Sequence, residues 1–237
     1  MNRSRQSRDR PTGETHRIES EGPTATSFDL FGTLVDVDMP SNPAAAVAHE
    51  LEARDVTVPP DWEDAYRRSQ IDAPSGVEVS LPAHVRAVVH DCGVDVPPHD
   101  GDVILTAVKS AFEPIVRTRD GAQAAIRAAS DRGPVGVLSN CSVPGLVERT
   151  ISLSALDSGS FDAIVSSVDC GWRKPDPRAF ESIAGQLDVP VANLRHVGDD
   201  PRTDGGATEA AARAILLDDV PLEKFPSFIN DVDRNSW

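Results

Sequence analysis

From Thr24 onward, short continuous apolar runs alternate with segments of helical period, and their order predicts the architecture. Thr24 to Phe28 reads as a short buried strand that runs out at Asp29, and Gly32-Thr33 then forces a turn. The pattern next becomes helical and rich in Ala and Val. Pro43 to Arg54 is expected as a helix capped by Ser41 or Asn42, with Pro43 in its first turn. Asp61 to Ile71, Pro82 to Asp91 and Asp102 to Phe112 follow as helices, bounded by clusters such as Val58-Pro59-Pro60 and Val96-Pro97-Pro98. No strand is expected in this stretch, which is too long for an ordinary crossover connection, so residues 39–114 read as an inserted helical cap. From Gly121 the rhythm changes again. Ala122 to Ser130, Pro144 to Ser152, Pro177 to Leu187 and Thr203 to Ala212 read as helices; Val135 to Leu138, Phe161 to Ser166, Leu194 to Gly198 and Ala214 to Leu217 read as strands. Strands alternating with helices predict an α/β fold with a doubly wound parallel sheet, built from residues 23–38 and 115–237.

Residues Met1 to Gly22 fall outside this pattern. They mix Arg with acids, Ser, Pro and Gly, carry almost nothing apolar, and read as a disordered leader. The segment lacks the apolar middle of a signal peptide and contains the acids that a transit peptide avoids.

Composition narrows the partners. The 237 residues have 38 acidic against 23 basic side chains and a net charge of −15, which argues against nucleic acid. Only Lys109, Lys174 and Lys224 are lysines; the remaining basic side chains are Arg. So acidic and lysine-poor a surface repels itself, and salt screens that repulsion, which suggests a high-salt cytosol. Cys92, Cys141 and Cys170 show neither a disulfide framework nor a CxxC knuckle, in keeping with a reducing, cytoplasmic setting. No apolar run approaches the roughly 18 residues of a membrane helix.

A parallel sheet gathers the carboxyl ends of its strands at one edge, where ligands bind. Asp29, Ser139, Lys174 in the loop Cys170-Gly171-Trp172-Arg173-Lys174-Pro175, and Gly198-Asp199-Asp200-Pro201-Arg202-Thr203-Asp204 all fall at such ends or just beyond them. Singly, each has an ordinary structural reading: a helix-capping Ser, a solvated Lys, a capping Asp. Together, and in this order, they resemble the haloacid dehalogenase superfamily, whose fold is a Rossmann-like parallel sheet with a helical cap inserted after the first strand. Phe28-Asp29-Leu30-Phe31-Gly32-Thr33-Leu34 is similar to its first motif, Leu138-Ser139-Asn140 to the second and Arg173-Lys174-Pro175 to the third. Val197-Gly198-Asp199-Asp200 with Asp204 is similar to the fourth.

The resemblance implies Asp29 as nucleophile, Thr33, Ser139, Asn140 and Lys174 around the substrate, and Asp29, Asp199, Asp204 and the backbone carbonyl of Phe31 around a metal. The residue types suit that chemistry. An anion attacking a phosphoryl group needs Lys174 to offset its charge and Ser139 to donate to a phosphoryl oxygen. Gathered carboxylates, with Asp200 as a further candidate, need a hard cation between them, and Mg²⁺ fits an all-oxygen set. The implied function is a Mg²⁺-dependent phosphatase that acts on a small phosphate ester through an aspartyl-phosphate. Phe31 departs from that pattern, because phosphatases of the superfamily usually carry a second Asp there as general acid and base. An aromatic in its place is similar to the metal-free 2-haloacid dehalogenases, whose departing halide needs no proton; those enzymes have Ser and Asn where this chain has Asp199 and Asp200. A phosphate-binding protein with little hydrolytic activity is the third reading. Arg67, Arg68 and His84 are candidates for substrate contacts from the cap. Oligomeric state is not legible in the sequence.

Overall fold

The protein is described by a computed structural model over residues 23–68, 71–94, 96 and 101–234. The expected leader Met1 to Gly22 lies outside the described residues, as do residues 69–70 of the second expected helix and Pro97-Pro98 of the second expected Pro cluster. The chain opens with strand β1 (Ala25–Phe28) and then β2 (Val35–Asp38). Four helices follow, α1 (Pro43–Glu52), α2 (Trp62–Arg67), α3 (Leu81–Asp91) and α4 (Val103–Ala111), and the chain returns through β3 (Ile115–Thr118). Next come α5 (Ala122–Ser130), β4 (Val135–Ser139), α6 (Leu146–Leu153), β5 (Ala163–Ser166) and the short α7 (Ser167–Cys170). The sequence closes with α8 (Pro177–Gln186), β6 (Leu194–Gly198), β7 (Arg213–Leu216) and α9 (Phe225–Arg234).

Five strands form a parallel sheet in the order β5-β4-β1-β6-β7, which places β1 at the centre and the end of β1 between the ends of β4 and β6. Alternation along a strand sends successive side chains to opposite faces. Phe28, Val137, Val197 and Ile215 join the apolar cluster that includes Ile126 of α5 and Phe225 and Ile229 of α9. The ring of Phe28 meets that of Phe225 edge-on at 5.6 Å between centroids. Ala25, Leu138, Val165 and Leu194 belong to the second cluster, with Phe180 and Ile183 of α8. The sheet is therefore covered by apolar helices on both faces, as a parallel sheet requires.

Three of the four helices between β2 and β3 begin at a side-chain cap, and that of α1 is one of the two residues the sequence offers. Asn42 accepts from the Ala45 amide at 3.2 Å, Ser80 from Ala83 at 3.3 Å and Asp102 from Leu105 at 3.1 Å. Ala44, Val47 and Leu51 of α1 are buried in one cluster with Ile104, Ala107 and Val108 of α4, the spacing of one helix face against another.

The structure corrects the sequence reading at four points. At the two borders of the helical stretch, β2 and β3, which have no counterpart in the sequence reading, pair antiparallel as a ribbon that carries the chain out to the helices and back. The second helix is confined to Trp62–Arg67, because Arg68 already has extended backbone. The expected helix Thr203 to Ala212 is only a 3₁₀ turn, Asp204–Thr208, followed by a reversal in which Ala211 takes a positive φ of 64°. Gly205-Gly206 weakens any α-helix there. Finally, α7 and α9 have no counterpart in the sequence reading.

Candidate functional site

Asp29 is built into the end of the central strand. Its amide still donates to the Val197 carbonyl at 2.8 Å, so its position is set by the sheet. The following loop folds back, with the amides of Leu34 and Val35 both donating to the Leu30 carbonyl, at 2.9 and 3.0 Å. Gly32 has a positive φ of 85°, and a Cβ there would come within 2.6 Å of Asp199 Oδ2. Both conditions demand glycine. The next residue, Thr33, is fully buried and donates through Oγ1 to Asp199 Oδ1 at 3.1 Å, while the Arg119 guanidinium donates to the Gly32 carbonyl. The first loop is thus tied to the end of β6.

Lys174 is brought to Asp29 by its backbone as much as by its charge. The Asn140 side-chain amide clasps it at two points, Nδ2 donating to the Lys174 carbonyl at 2.9 Å and Oδ1 accepting from the Lys174 amide at 2.8 Å. The Lys174 ammonium, 3% exposed as a residue, then donates to Asp29 Oδ1 at 2.8 Å and Asp204 Oδ1 at 2.6 Å. Asp204 is held on its other oxygen by the Asp200 amide at 3.0 Å. A Cβ on Gly198 would collide with the Asp204 carboxyl, so the close approach of β6 to this loop also depends on glycine.

Asp29, Asp199 and Asp204 can each offer one carboxylate oxygen, and these lie within 4.8 Å of one another. One ammonium among three carboxylates leaves a surplus of negative charge. Burial raises the Asp29 pKa to about 6 from 3.8, against the pull of Lys174 and with a further push from Asp204 and Asp199. Burial opposes the charge on Lys174, but the two carboxylates outweigh it and hold its pKa above the usual value. Burial also works against the Asp204 anion, yet the hydrogen bond from His196 and the charge of Lys174 bring its pKa well below the ordinary carboxylate range. An all-oxygen donor set with excess negative charge fits a hard divalent cation.

A cavity of about 210 Å³ opens over these groups, lined by Asp29, Phe31, Ser139, Asn140, Lys174, Asp199, Asp200, Thr203 and Asp204. Ser139 ends β4 at the rim, and its hydroxyl is buried without a hydrogen-bond partner among the described residues. A buried hydroxyl left unpaired is costly, and a ligand oxygen in the cavity would satisfy it. Asp200, a candidate for the acid cluster, points elsewhere: its carboxylate takes Arg202 Nε at 3.1 Å and Nη2 at 2.9 Å. The candidate cap contacts are also engaged elsewhere. Arg67 pairs with Glu63 and Asp64 on its own exposed helix face, His84 is hydrogen-bonded to the Tyr66 carbonyl at 2.8 Å, and neither these nor Arg68 line the cavity.

Two members of the cluster are absent from the sequence reading. His196 is fully buried, with Nε2 3.0 Å from Asp204 Oδ1 and Nδ1 2.8 Å from Ser27 Oγ. Burial and the nearby Lys174 push its pKa down to about 4, so the ring is neutral near pH 7. A signal was available: Ser27 stands two residues before Asp29 and His196 two before Gly198, which strand alternation puts on the face of Asp29.

Comparisons with known proteins bear on the family and the fold. A curated relative from Bos taurus, haloacid dehalogenase-like hydrolase domain-containing protein 3, is 26% identical over 223 residues, 84% of this chain and 88% of the relative. Among solved structures, a 2-haloacid dehalogenase from Pseudomonas syringae has a TM-score of 0.57 at 21% identity, covering 90% of this chain and 99% of its own. A variant of CbbY from Rhodobacter sphaeroides, solved with xylulose-(1,5)bisphosphate, has a TM-score of 0.54 at 20% identity, covering 82% of this chain and 86% of its own. At such identities the solved structures speak for the fold, an α/β fold with a Rossmann-like parallel sheet. The family model described as haloacid dehalogenase-like hydrolase matches residues 24–212, and the chain belongs to the haloacid dehalogenase-like hydrolases.

Proposed function

We propose that this hydrolase is a Mg²⁺-dependent phosphatase acting on a small phosphorylated metabolite, with Asp29 as nucleophile. The observation that carries the reading is the cluster Asp29, Asp199 and Asp204, whose carboxylate oxygens lie within 4.8 Å of one another beside Lys174 and the unpaired Ser139 hydroxyl. In the first half-reaction an Asp29 oxygen forms a bond to phosphorus and the ester P–O bond breaks; the alcohol leaves with a proton from water. In the second, water attacks phosphorus, the bond to Asp29 breaks, and inorganic phosphate departs. Lys174 and the Ser139 hydroxyl bind the phosphoryl oxygens, Thr33 and Asn140 hold the two loops around them, and the helices between β2 and β3 are the inserted cap. Asp29, Asp199, Asp204 and the Phe31 carbonyl would hold Mg²⁺. When bound, the cation supplies neutralisation of the acid cluster and of the phosphoryl charge. The acidic surface and the absence, among the described residues, of a helix long and apolar enough to cross a membrane suit a cytoplasmic enzyme working in high salt.

Phe31 favours a second reading, a metal-free 2-haloacid dehalogenase, because no carboxylate stands there to protonate a leaving alcohol. Against it, a carboxylate substrate would enter beside Asp199 and Asp204 with one ammonium to offset them. The test is a panel of aryl, acyl and alkyl phosphates and 2-chloropropionate, each with MgCl₂ and with EDTA. Release of phosphate that EDTA abolishes is the expected result. Chloride release that survives EDTA would overturn it in favour of the dehalogenase.

A further inference from the structure

Ser27 and His196 are register partners on the adjacent strands β1 and β6, and both are 0% exposed. The imidazole lies against the ring of Phe180, with centroids 5.2 Å apart and the rings nearly perpendicular, so its apolar side is packed and its two nitrogens are left to polar partners. Nδ1 is 2.8 Å from Ser27 Oγ; Nε2 is 3.0 Å from Asp204 Oδ1 and 3.4 Å from Lys174 Nζ. A carboxylate oxygen can only accept, so the shorter contact at Nε2 requires a proton on that nitrogen. Nδ1 then carries a lone pair, and the Ser27 hydroxyl donates to it. With every member buried, a hydrogen bond broken here would leave an uncompensated polar group.

We propose that His196 is a positioning residue of the reaction: through Nε2–H it fixes Asp204 Oδ1 in the orientation in which that oxygen also receives Lys174, and so keeps the ammonium on Asp29. The chain of contacts runs Ser27, His196, Asp204, Lys174, Asp29, from the strand interior to the proposed nucleophile. Asp204 Oδ1 takes two donors, and without the imidazole only Lys174 would hold that oxygen. The carboxylate could then turn about its remaining bond to the Asp200 amide, and Lys174 would follow it. The inference rests on the phosphatase reading in so far as Asp29 and Lys174 are the reacting pair.

Two substitutions separate positioning from packing. The amide of His196→Asn reaches only as far as Nδ1, so it keeps Ser27 and abandons Asp204; the longer amide of His196→Gln reaches the position of Nε2. His196→Asn should lower kcat on an aryl phosphate about 10- to 100-fold, the range for a displaced supporting group, with KM changed less than about threefold. His196→Gln should recover most of that loss. In parallel, ¹⁵N spectra of the histidine rings in the wild-type protein at pH 7, assigned by the signal missing in His196→Gln, should show a protonated Nε2 and a bare Nδ1. Equal losses in the two variants, wild-type kcat in both, or a proton on Nδ1 would overturn the proposal. Should the wild-type protein release no phosphate with Mg²⁺, the phosphatase reading fails on that result, and the ring spectra decide by themselves whether His196 holds Asp204. They decide equally if neither variant folds.

Discussion

As the proposed nucleophile, Asp29 faces opposing demands: it would have to be an anion to attack, yet burial holds its pKa near 6. Relative to the unfolded value of 3.8, a raised carboxylate pKa contributes stability that is complete below 3.8 and lost as pH rises through 6. His196 has the opposite sign. Its pKa falls from 6.5 to about 4, so its contribution is complete above 6.5 and is lost as pH falls toward 4. Asp29→Asn removes the first effect and leaves the second. The variant should therefore show no turnover, be more stable than wild type at pH 7 in EDTA by about 1–3 kcal/mol, and lose stability more steeply between pH 6.5 and 4. Urea denaturation across pH, alongside phosphate release, measures all three; appreciable residual turnover would remove Asp29 from the nucleophile's role. Phe31→Asp tests the neighbouring position. If only a proton donor is missing there, the ratio of alkyl to aryl phosphate turnover must rise, approaching about 100-fold where the carboxylate reaches the leaving oxygen. An unchanged ratio in a folded variant would mean that Phe31 does not stand in the acid's place.

At the scale of elements, the site depends on loops that fit only because certain residues lack a side chain. Gly206, in the 3₁₀ turn after Asp204, packs on the loop of Lys174: an added Cβ would lie 2.3 Å from Pro175 Cβ and 2.8 Å from its carbonyl oxygen. Gly206→Ala should cost about 1–3 kcal/mol and lower kcat, since the loop it displaces carries Lys174. Its neighbour Gly205 has open space where a Cβ would stand, so Gly205→Ala should change stability by less than about 0.5 kcal/mol. Urea midpoints of the pair would show whether this contact constrains the loop, and equal midpoints would show that it does not. The same elements mark what the sequence could reveal. Buried strands such as Val135–Ser139 and helices with a Pro or cap residue at their start announce themselves locally. The ribbon of Val35–Asp38 with Ile115–Thr118 does not, because each strand is four residues long and their pairing joins segments separated by four helices. The clasp of Asn140 on the Lys174 backbone and the burial of His196 are likewise products of tertiary contact, although the motif residues themselves were legible as a set at the strand ends.

For the whole molecule, two kinds of negative charge must be distinguished: the diffuse surface excess behind the net charge of −15, and the three carboxylates gathered at one sheet edge. Salt acts on the first by screening, with a Debye length that shrinks from about 8 Å at 0.15 M to about 3 Å at 1 M. A site-bound cation acts on the second by mass action, worth about 2.7 kcal/mol at a hundred times its dissociation constant. For a chain of this size that corresponds to a Tm shift of roughly 5–10 °C. KCl should therefore raise Tm gradually up to molar concentration in wild-type and variant proteins alike. Millimolar MgCl₂ added on top of 1 M KCl should raise it further and saturably in wild type, because the diffuse surface charge is already screened and the three gathered carboxylates, two of them buried, remain to be neutralised. In Asp199→Asn the KCl response should persist while the Mg²⁺ increment is lost, since Asp199 is the member of the cluster bound to Thr33 and not to Lys174, and its charge is left to the cation. Thermal melts of the two proteins in a KCl by MgCl₂ grid make the comparison. A Mg²⁺ increment that vanishes in 1 M KCl, or one that survives in Asp199→Asn, would mean that the cation is acting on the surface and that the three carboxylates do not form its site.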